Sequence, residues 1–290
     1  MIAYSYFAGC SAKGACRELD DSTQIVARAL GIELMELEDA GCTGARQFRA
    51  ANDELFLTAN GRILAMAERA GQDLAVVCDT CLLNLTEARK RLADDHGARE
   101  KVNVRLAGED LVWRGTADVK HFLWIMLEDV GLERLAARVV RPLKGLKVAP
   151  FYGCHIRRPS ISRAVNGGNR GRALELLTEA LGAESVDHAG ADKCCGFHGL
   201  AEGEDVALRL SGRHLGSAKA GGAQCLVTPC PLCHTVLDAY QPEIERTADR
   251  RFGLPIFHAA QLVGLAIGME PTALGLTRHV VGTASALSGI

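Results

Sequence analysis

The sequence predicts an α/β protein made of two duplicated domains, each a small parallel sheet with flanking helices and cysteine loops at the strands' C-terminal ends. Three observations carry this reading. Cys42, Cys78 and Cys81 recur as Cys194, Cys230 and Cys233, each 152 positions later. Apolar runs that read as strands alternate with helical patterns in the same order in both halves. The cysteines follow those runs closely, which is where sites gather in parallel sheets. Proline and glycine punctuate Arg141-Pro142-Leu143-Lys144-Gly145, so the domains are taken as 1–144 and 145–290.

In chain order, Ile2 to Phe7 reads as a strand ending before Cys10, and Leu146 to Tyr152 as its counterpart before Cys154. Helical patterns follow over Ser22 to Leu30 and Arg170 to Leu181. Second strands are placed at Ile32 to Leu37 and Glu184 to His188, and longer helices at Asp53 to Ala70 and Gly203 to Ala220. Third strands, Leu74 to Val77 and Cys225 to Thr228, deliver the two Cys-x-x-Cys sets. Fourth strands are placed at Val102 to Leu106 and Pro255 to Phe257. A last helix in each half opens on a histidine, His121 or His258, with Gly131 or Gly268 ten residues on.

The chain of 290 residues is long enough for two domains, and its net charge of -2 gives no basis for nucleic-acid binding. No apolar run reaches the ~18–20 residues of a membrane span, so direct membrane insertion is not expected. The N-terminal Met1 to Tyr6 lacks the basic and apolar regions of a signal peptide, and a cytoplasmic location is expected. Eleven cysteines in a reducing compartment point to metal or redox chemistry rather than disulfides.

Nine of the eleven fall into two sets. The second half holds Cys154, Cys194, Cys195, Cys230 and Cys233, with Gly196 completing a Cys-Cys-Gly motif. The first half holds Cys10, Cys42, Cys78 and Cys81, with Thr43 opposite Cys195 and Gly44 opposite Gly196. Thiolates in such numbers suit soft metals and iron–sulfur clusters. Four cysteines including a Cys-x-x-Cys also suit structural zinc, which stays open for the first set. Cys16 and Cys225 have no counterpart and are read as small apolar core residues.

Phe7-Ala8-Gly9-Cys10-Ser11-Ala12-Lys13-Gly14, Tyr152-Gly153-Cys154-His155 with Arg158-Pro159, Cys230-Pro231-Leu232-Cys233-His234, and His258 to Gly268 resemble segments of the B-type subunit of heterodisulfide reductase. That family is built from two CCG domains, and the likeness is strongest to the B-type subunits of sulfur-oxidising heterodisulfide-reductase-like complexes. The resemblance implies a noncubane [4Fe-4S] cluster on Cys154, Cys194, Cys195, Cys230 and Cys233. It implies a [4Fe-4S] cubane or a degraded site on Cys10, Cys42, Cys78 and Cys81, because Thr43 cannot bridge iron as a thiolate does.

The implied activity is cleavage or formation of disulfide or other sulfur–sulfur bonds, as the iron–sulfur oxidoreductase subunit of a complex. The implied setting is sulfur oxidation with a lipoate-binding carrier protein. Partners are then a C-type iron–sulfur subunit and a flavin-containing A-type subunit, since this chain has neither a GxGxxG fingerprint nor a ferredoxin-style cysteine run. Two alternatives remain: an electron relay without its own substrate, and a CCG subunit of a small-organic-acid dehydrogenase with quinone or membrane partners.

Histidines recur beside the cysteines at His155, His198 and His234, and thiolate products need protons. His155 is the first candidate proton donor. Its alternative is a histidine that hydrogen-bonds a cluster sulfide or a carbonyl. His121 and His258 read as capping or packing residues. The second half carries eight extra residues after Cys154, and the segment Arg157 to Arg172 holds five arginines and Gly167-Gly168. It reads as a cationic lid or a solvated loop, with Lys13 a weaker candidate for the same electrostatic role.

Overall fold

The computed structural model describes residues 2–157 and 168–289. Each half contains four parallel strands flanked by helices. In the first, β1 (Ile2–Phe7), β2 (Ile32–Glu36), β3 (Leu74–Val76) and β4 (Val119–His121) lie in the order β2-β1-β3-β4. In the second, β5 (Lys147–Pro150), β6 (Glu184–Ser185), β7 (Cys225–Thr228) and β8 (Ile256–His258) repeat it as β6-β5-β7-β8.

Helices on both faces leave the central strands no solvent side, so β3 and β7 are buried at every residue, as short apolar parallel strands should be. Register is set by pairs such as Tyr6 with Ala75 and Val76 with His121, and their equivalents Pro150 with Val227 and Thr228 with His258. From β1 the chain crosses to β2 on one side and then to β3 on the other, and from β5 it does the same. Connections diverge there, leaving a crevice at the strands' C-terminal ends. Cys10 and Cys78 flank one crevice; Cys154 and Cys230 flank the other.

Expected elements return at most positions, with shifted ends. The helix read as Ser22 to Leu30 begins at Arg17 and ends at Ala29. Strand-like Leu146 to Tyr152 pairs only over Lys147–Pro150, and Glu184 to His188 only over Glu184–Ser185. The helix placed at Asp53 runs Asp53–Arg69, with the Asn52 side chain accepting from the Leu55 N–H. The helix placed at Gly203 begins three residues earlier, and Gly203 itself leaves helical geometry inside Leu200–Ala220.

One strand lies elsewhere than expected. Val102 to Leu106 belongs to the helix His96–Leu106, where Asp95 accepts from the Ala98 N–H, and the fourth strand is Val119–His121. Val102 and Leu106 are buried four residues apart while Val104 between them is 77% exposed, so the pattern there has the helical period.

The halves interlock. Helix Arg17–Ala29 of the first packs on helix Ala259–Ala266 of the second, and Leu132–Ala136 packs on Ala173–Ala180. The arginine-rich lid segment lies mostly outside the described residues. Its described arginines are engaged internally: Arg157 stacks on Tyr152 at 3.9 Å from the ring centroid, Arg170 stacks on Trp124 and pairs with Glu128, and Arg172 pairs with Glu179. Lys13 is held by Asp20 at 2.7 Å and Glu36 at 2.6 Å.

Candidate metal centres

The two cysteine sets lie at the two crevices and meet between them. In the first, Cys10 Sγ is 3.8 Å from Cys42 Sγ, and the Gly44 N–H donates to Cys42 Sγ at 3.3 Å. In the second, the Gly196 N–H donates to Cys194 Sγ at 3.4 Å. Cys78 and Cys230 each end the loop after a third strand and precede a helix. The Cys81 sulfur and burial raise the Cys78 thiol above its ordinary value, and burial and the Cys78 sulfur raise that of Cys230. Cys81 and Cys78, Cys78 and Cys230, Cys230 and Cys233, and Cys233 and Cys195 are electrostatic neighbours in turn. A continuous row of sulfur therefore runs from one site to the other.

Backbone close to the sulfurs explains two glycines. At Gly153, with φ +68°, a Cβ would stand 2.7 Å from Cys233 Sγ. Gly196, with φ +91°, would place a Cβ 3.0 Å from the Ala207 carbonyl, so the Cys-Cys-Gly turn closes only without a side chain.

Thr43 is buried where the first half lacks its fifth cysteine. Its hydroxyl donates to Cys81 Sγ at 3.4 Å, and its carbonyl accepts from Asn60 and Asn84. The residue is thus turned toward the sulfurs as a hydrogen-bond donor. A cavity of about 210 Å³ lies against Cys10, Cys42, Thr43, Cys78 and Cys81. That is far more than one ion needs. The five thiols of the second half enclose only about 20 Å³, which adjoins a cleft of about 450 Å³ also lined by Cys154 and Cys194. Both donor sets are all sulfur, which is the donor chemistry of iron–sulfur clusters.

Each half completes the other's site. Pro231 and Leu232, inside the second Cys-x-x-Cys, line the first cavity; Asp79 and Thr80, inside the first, line the second. Phe197 and His198 line both. Asp79 is buried, with neither carboxylate oxygen hydrogen-bonded, and lies 3.5 Å from His121 Nε2. Burial pushes its carboxyl well above the usual range, and the nearby Cys230 and Cys195 sulfurs add to this. Sequence reasoning passed over Asp79. The available signal was that the repeat places Asp79 opposite Pro231, an abrupt change inside a chemical motif.

The wide cleft is lined by Arg46, Arg49, Thr80, Cys154, His155, Cys194 and His198. The His155 Nδ1 lies 2.9 Å from the Thr80 hydroxyl, and its ring centroid lies 5.6 Å from that of His198. Burial, and then the Arg46 charge, lowers His198 below its ordinary value. Arg49 pairs with Glu87 at 2.5 Å, whereas Arg46 is exposed at the cleft.

The remaining candidates lie elsewhere. His234 turns away from the cysteines, against His258 with ring centroids 4.1 Å apart. The Nδ1 of His121 accepts from the Leu123 N–H at the start of its helix. Cys225 is buried in β7. Cys16 is also buried, but among polar groups: its Sγ is 3.1 Å from the Thr235 hydroxyl.

The duplicated crevices, each ringed by cysteines at repeated positions, coincide with two matches to the cysteine-rich CCG domain, over residues 4–86 and 148–238. The chain belongs to the CCG family. This CCG protein is 37% identical to the 8-methylmenaquinol:fumarate reductase membrane anchor subunit of Wolinella succinogenes, over 96% of both chains. It is 29% identical to the B-type subunit of the ferredoxin/F(420)H(2)-dependent CoB-CoM heterodisulfide reductase of Methanosarcina acetivorans, over 97% of this chain and 94% of the relative. A crystal structure of a hypothetical protein from Helicobacter pylori shares the fold with a TM-score of 0.79 at 17% identity. That match covers 96% of this chain and 52% of the other.

The CCG protein is thus like the B-type subunit of heterodisulfide reductase, an iron–sulfur-type module whose relatives are reductase subunits. Among the described residues no helix is long and apolar enough to cross a membrane, although one relative is named a membrane anchor.

Proposed function

We propose that this CCG protein is the iron–sulfur subunit of a heterodisulfide-reductase-like complex and that it makes or breaks sulfur–sulfur bonds at Cys154, Cys194, Cys195, Cys230 and Cys233. The observation that carries this is the cleft of about 450 Å³ reaching Cys154 and Cys194, with Arg46, His155 and His198 on its walls. A noncubane cluster on those five thiolates would supply single electrons and an iron site for sulfur. A cubane on Cys10, Cys42, Cys78 and Cys81 would be the neighbouring relay, joined to it through Cys78 and Cys230.

The protein's own groups bind and move protons. Arg46 would attract an anionic disulfide, or the acidic surface of a carrier protein that bears a lipoyl group. Reductive cleavage consumes two electrons from the flavin-containing and C-type partner subunits and two protons, and yields two thiols. His155, oriented by Thr80, would hold one of those protons at the cleft wall. His198, neutral near pH 7 by its lowered value, would accept a proton in the oxidative direction. The setting proposed is cytoplasmic sulfur oxidation.

A second reading is favoured by the 37% identity to a methylmenaquinol:fumarate reductase subunit over nearly the whole chain. In it the protein passes electrons between a quinol and an organic-acid reductase and has no sulfur substrate. The test is anaerobic turnover of the purified complex with an anionic disulfide, a lipoyl carrier and a menaquinol analogue, wild type beside Cys195→Ser. Disulfide or lipoyl turnover lost with Cys195 supports the first reading. Quinol turnover alone sinks it and establishes the second.

A further inference from the structure

Cys16, Glu18, His234 and His258 come together at the seam between the halves, beside the second Cys-x-x-Cys, with His234 next in sequence to Cys233. Cys16 precedes the helix Arg17–Ala29 and Glu18 lies in its first turn. His234 ends the short helix Pro231–His234, and His258 ends β8. All four are at most 4% exposed, which is unusual for a glutamate. One potential ligand atom from each lies within 4.8 Å of every other.

Hydrogen bonding within this set is poor. Glu18 Oε1 is 3.4 Å from His258 Nε2 and 3.7 Å from His234 Nδ1, and Cys16 Sγ is 3.9 Å from the same Nδ1. Good N–H···O bonds are about 2.7–3.2 Å long. Ligands around one zinc ion, by contrast, stand about 3.3–3.7 Å apart, as its tetrahedral bond lengths of about 2.0–2.3 Å require. A buried carboxylate without a cation is costly. One thiolate, one carboxylate and two neutral imidazoles balance a divalent ion without remainder.

We infer that Cys16, Glu18, His234 and His258 form a structural zinc site that staples the two halves of the protein together. Binding displaces the proton of Cys16, whose thiol burial otherwise pushes up to about 12. The Thr235 hydroxyl, 3.1 Å from Cys16 Sγ, is placed to donate to the resulting thiolate. Asp238 and His279 stand beside His234 as outer partners. Among the described residues the first half has no such set: there the repeat partner of His258 is His121, which faces Asp79. It shares no ligand with the cysteine centres, although His234 follows Cys233 and Cys16 Sγ lies 3.4 Å from the Pro231 carbonyl.

The test is metal analysis of the anaerobically purified full-length protein, with iron and zinc counted together, beside Zn K-edge absorption. Wild type is expected to hold about one zinc per chain, with one sulfur and three nitrogen or oxygen neighbours. Glu18→Gln and His258→Gln are expected to lose at least fivefold of the zinc while keeping their iron, and to unfold at lower temperature. A variant that fails to fold leaves the wild-type absorption spectrum to decide. Zinc absent after growth in zinc-supplemented medium overturns the inference. So does zinc with four sulfur neighbours, or zinc lost on Cys42→Ser but retained in His258→Gln, because either places the ion at the first cysteine set.

Discussion

The Thr80 hydroxyl lies 2.9 Å from the Nδ1 of His155 and joins the Cys-x-x-Cys loop of one half to the first cysteine loop of the other. This contact fixes which ring nitrogen of His155 faces the cleft. Thr80→Val keeps the volume and removes the bond. Turnover is expected to fall about 10-fold, within the 10–100-fold range for outer partners at metal sites, with iron content unchanged. Steady-state kinetics beside an iron assay checks it; unchanged turnover would detach His155 from the chemistry.

Thr43→Cys places a thiol where the hydroxyl now donates to Cys81 Sγ at 3.4 Å. The expected outcome is a first site whose oxidised-state EPR signal comes to resemble that of the second. Cys195→Ser is expected to do the reverse. Anaerobic EPR with iron and sulfide quantification reads both variants.

Gly153→Ala forces a side chain to a φ of +68° with its Cβ 2.7 Å from Cys233 Sγ. The backbone strain alone costs about 1–2 kcal/mol. Loss of roughly half the iron is expected, from the second site only. The same change at Gly31, with φ +76° and open space around it, bears only the strain and is expected to keep its iron.

Arg46→Ala is expected to raise KM for an anionic disulfide severalfold and leave kcat nearly unchanged, because the residue is an exposed charge on the cleft wall. The effect should shrink with added salt. Loss of kcat with KM intact would move Arg46 into the reacting centre.

Burial lowers His121 from its ordinary 6.5 to about 3. A histidine kept neutral in this way contributes stability that is fully present above pH 6.5 and is lost as pH falls toward 3. His121→Asn keeps an acceptor for the Leu123 N–H and removes the titration. Between about pH 6.5 and 4 its unfolding free energy should fall less steeply than that of wild type, by up to about 1.4 kcal/mol per pH unit. Denaturant unfolding across that range measures the slope.

The duplication, the parallel α/β class and the two cysteine sets were legible in the sequence. Repeat spacing and apolar periodicity are local properties of a chain, as are strand-end cysteines. Val102 to Leu106 misled because two buried residues four apart also suit a short strand when the exposed Val104 between them cannot be seen. Only the tertiary structure decided that Asp79 and Thr80 reach the second site, and that Cys78 meets Cys230. Only it turned His234 away from the cysteines, to join Cys16 and Glu18 from more than 200 positions earlier. These contacts arise where two copies of one fold pack against each other. Their partners are set by how the halves dock, which no spacing within either half records.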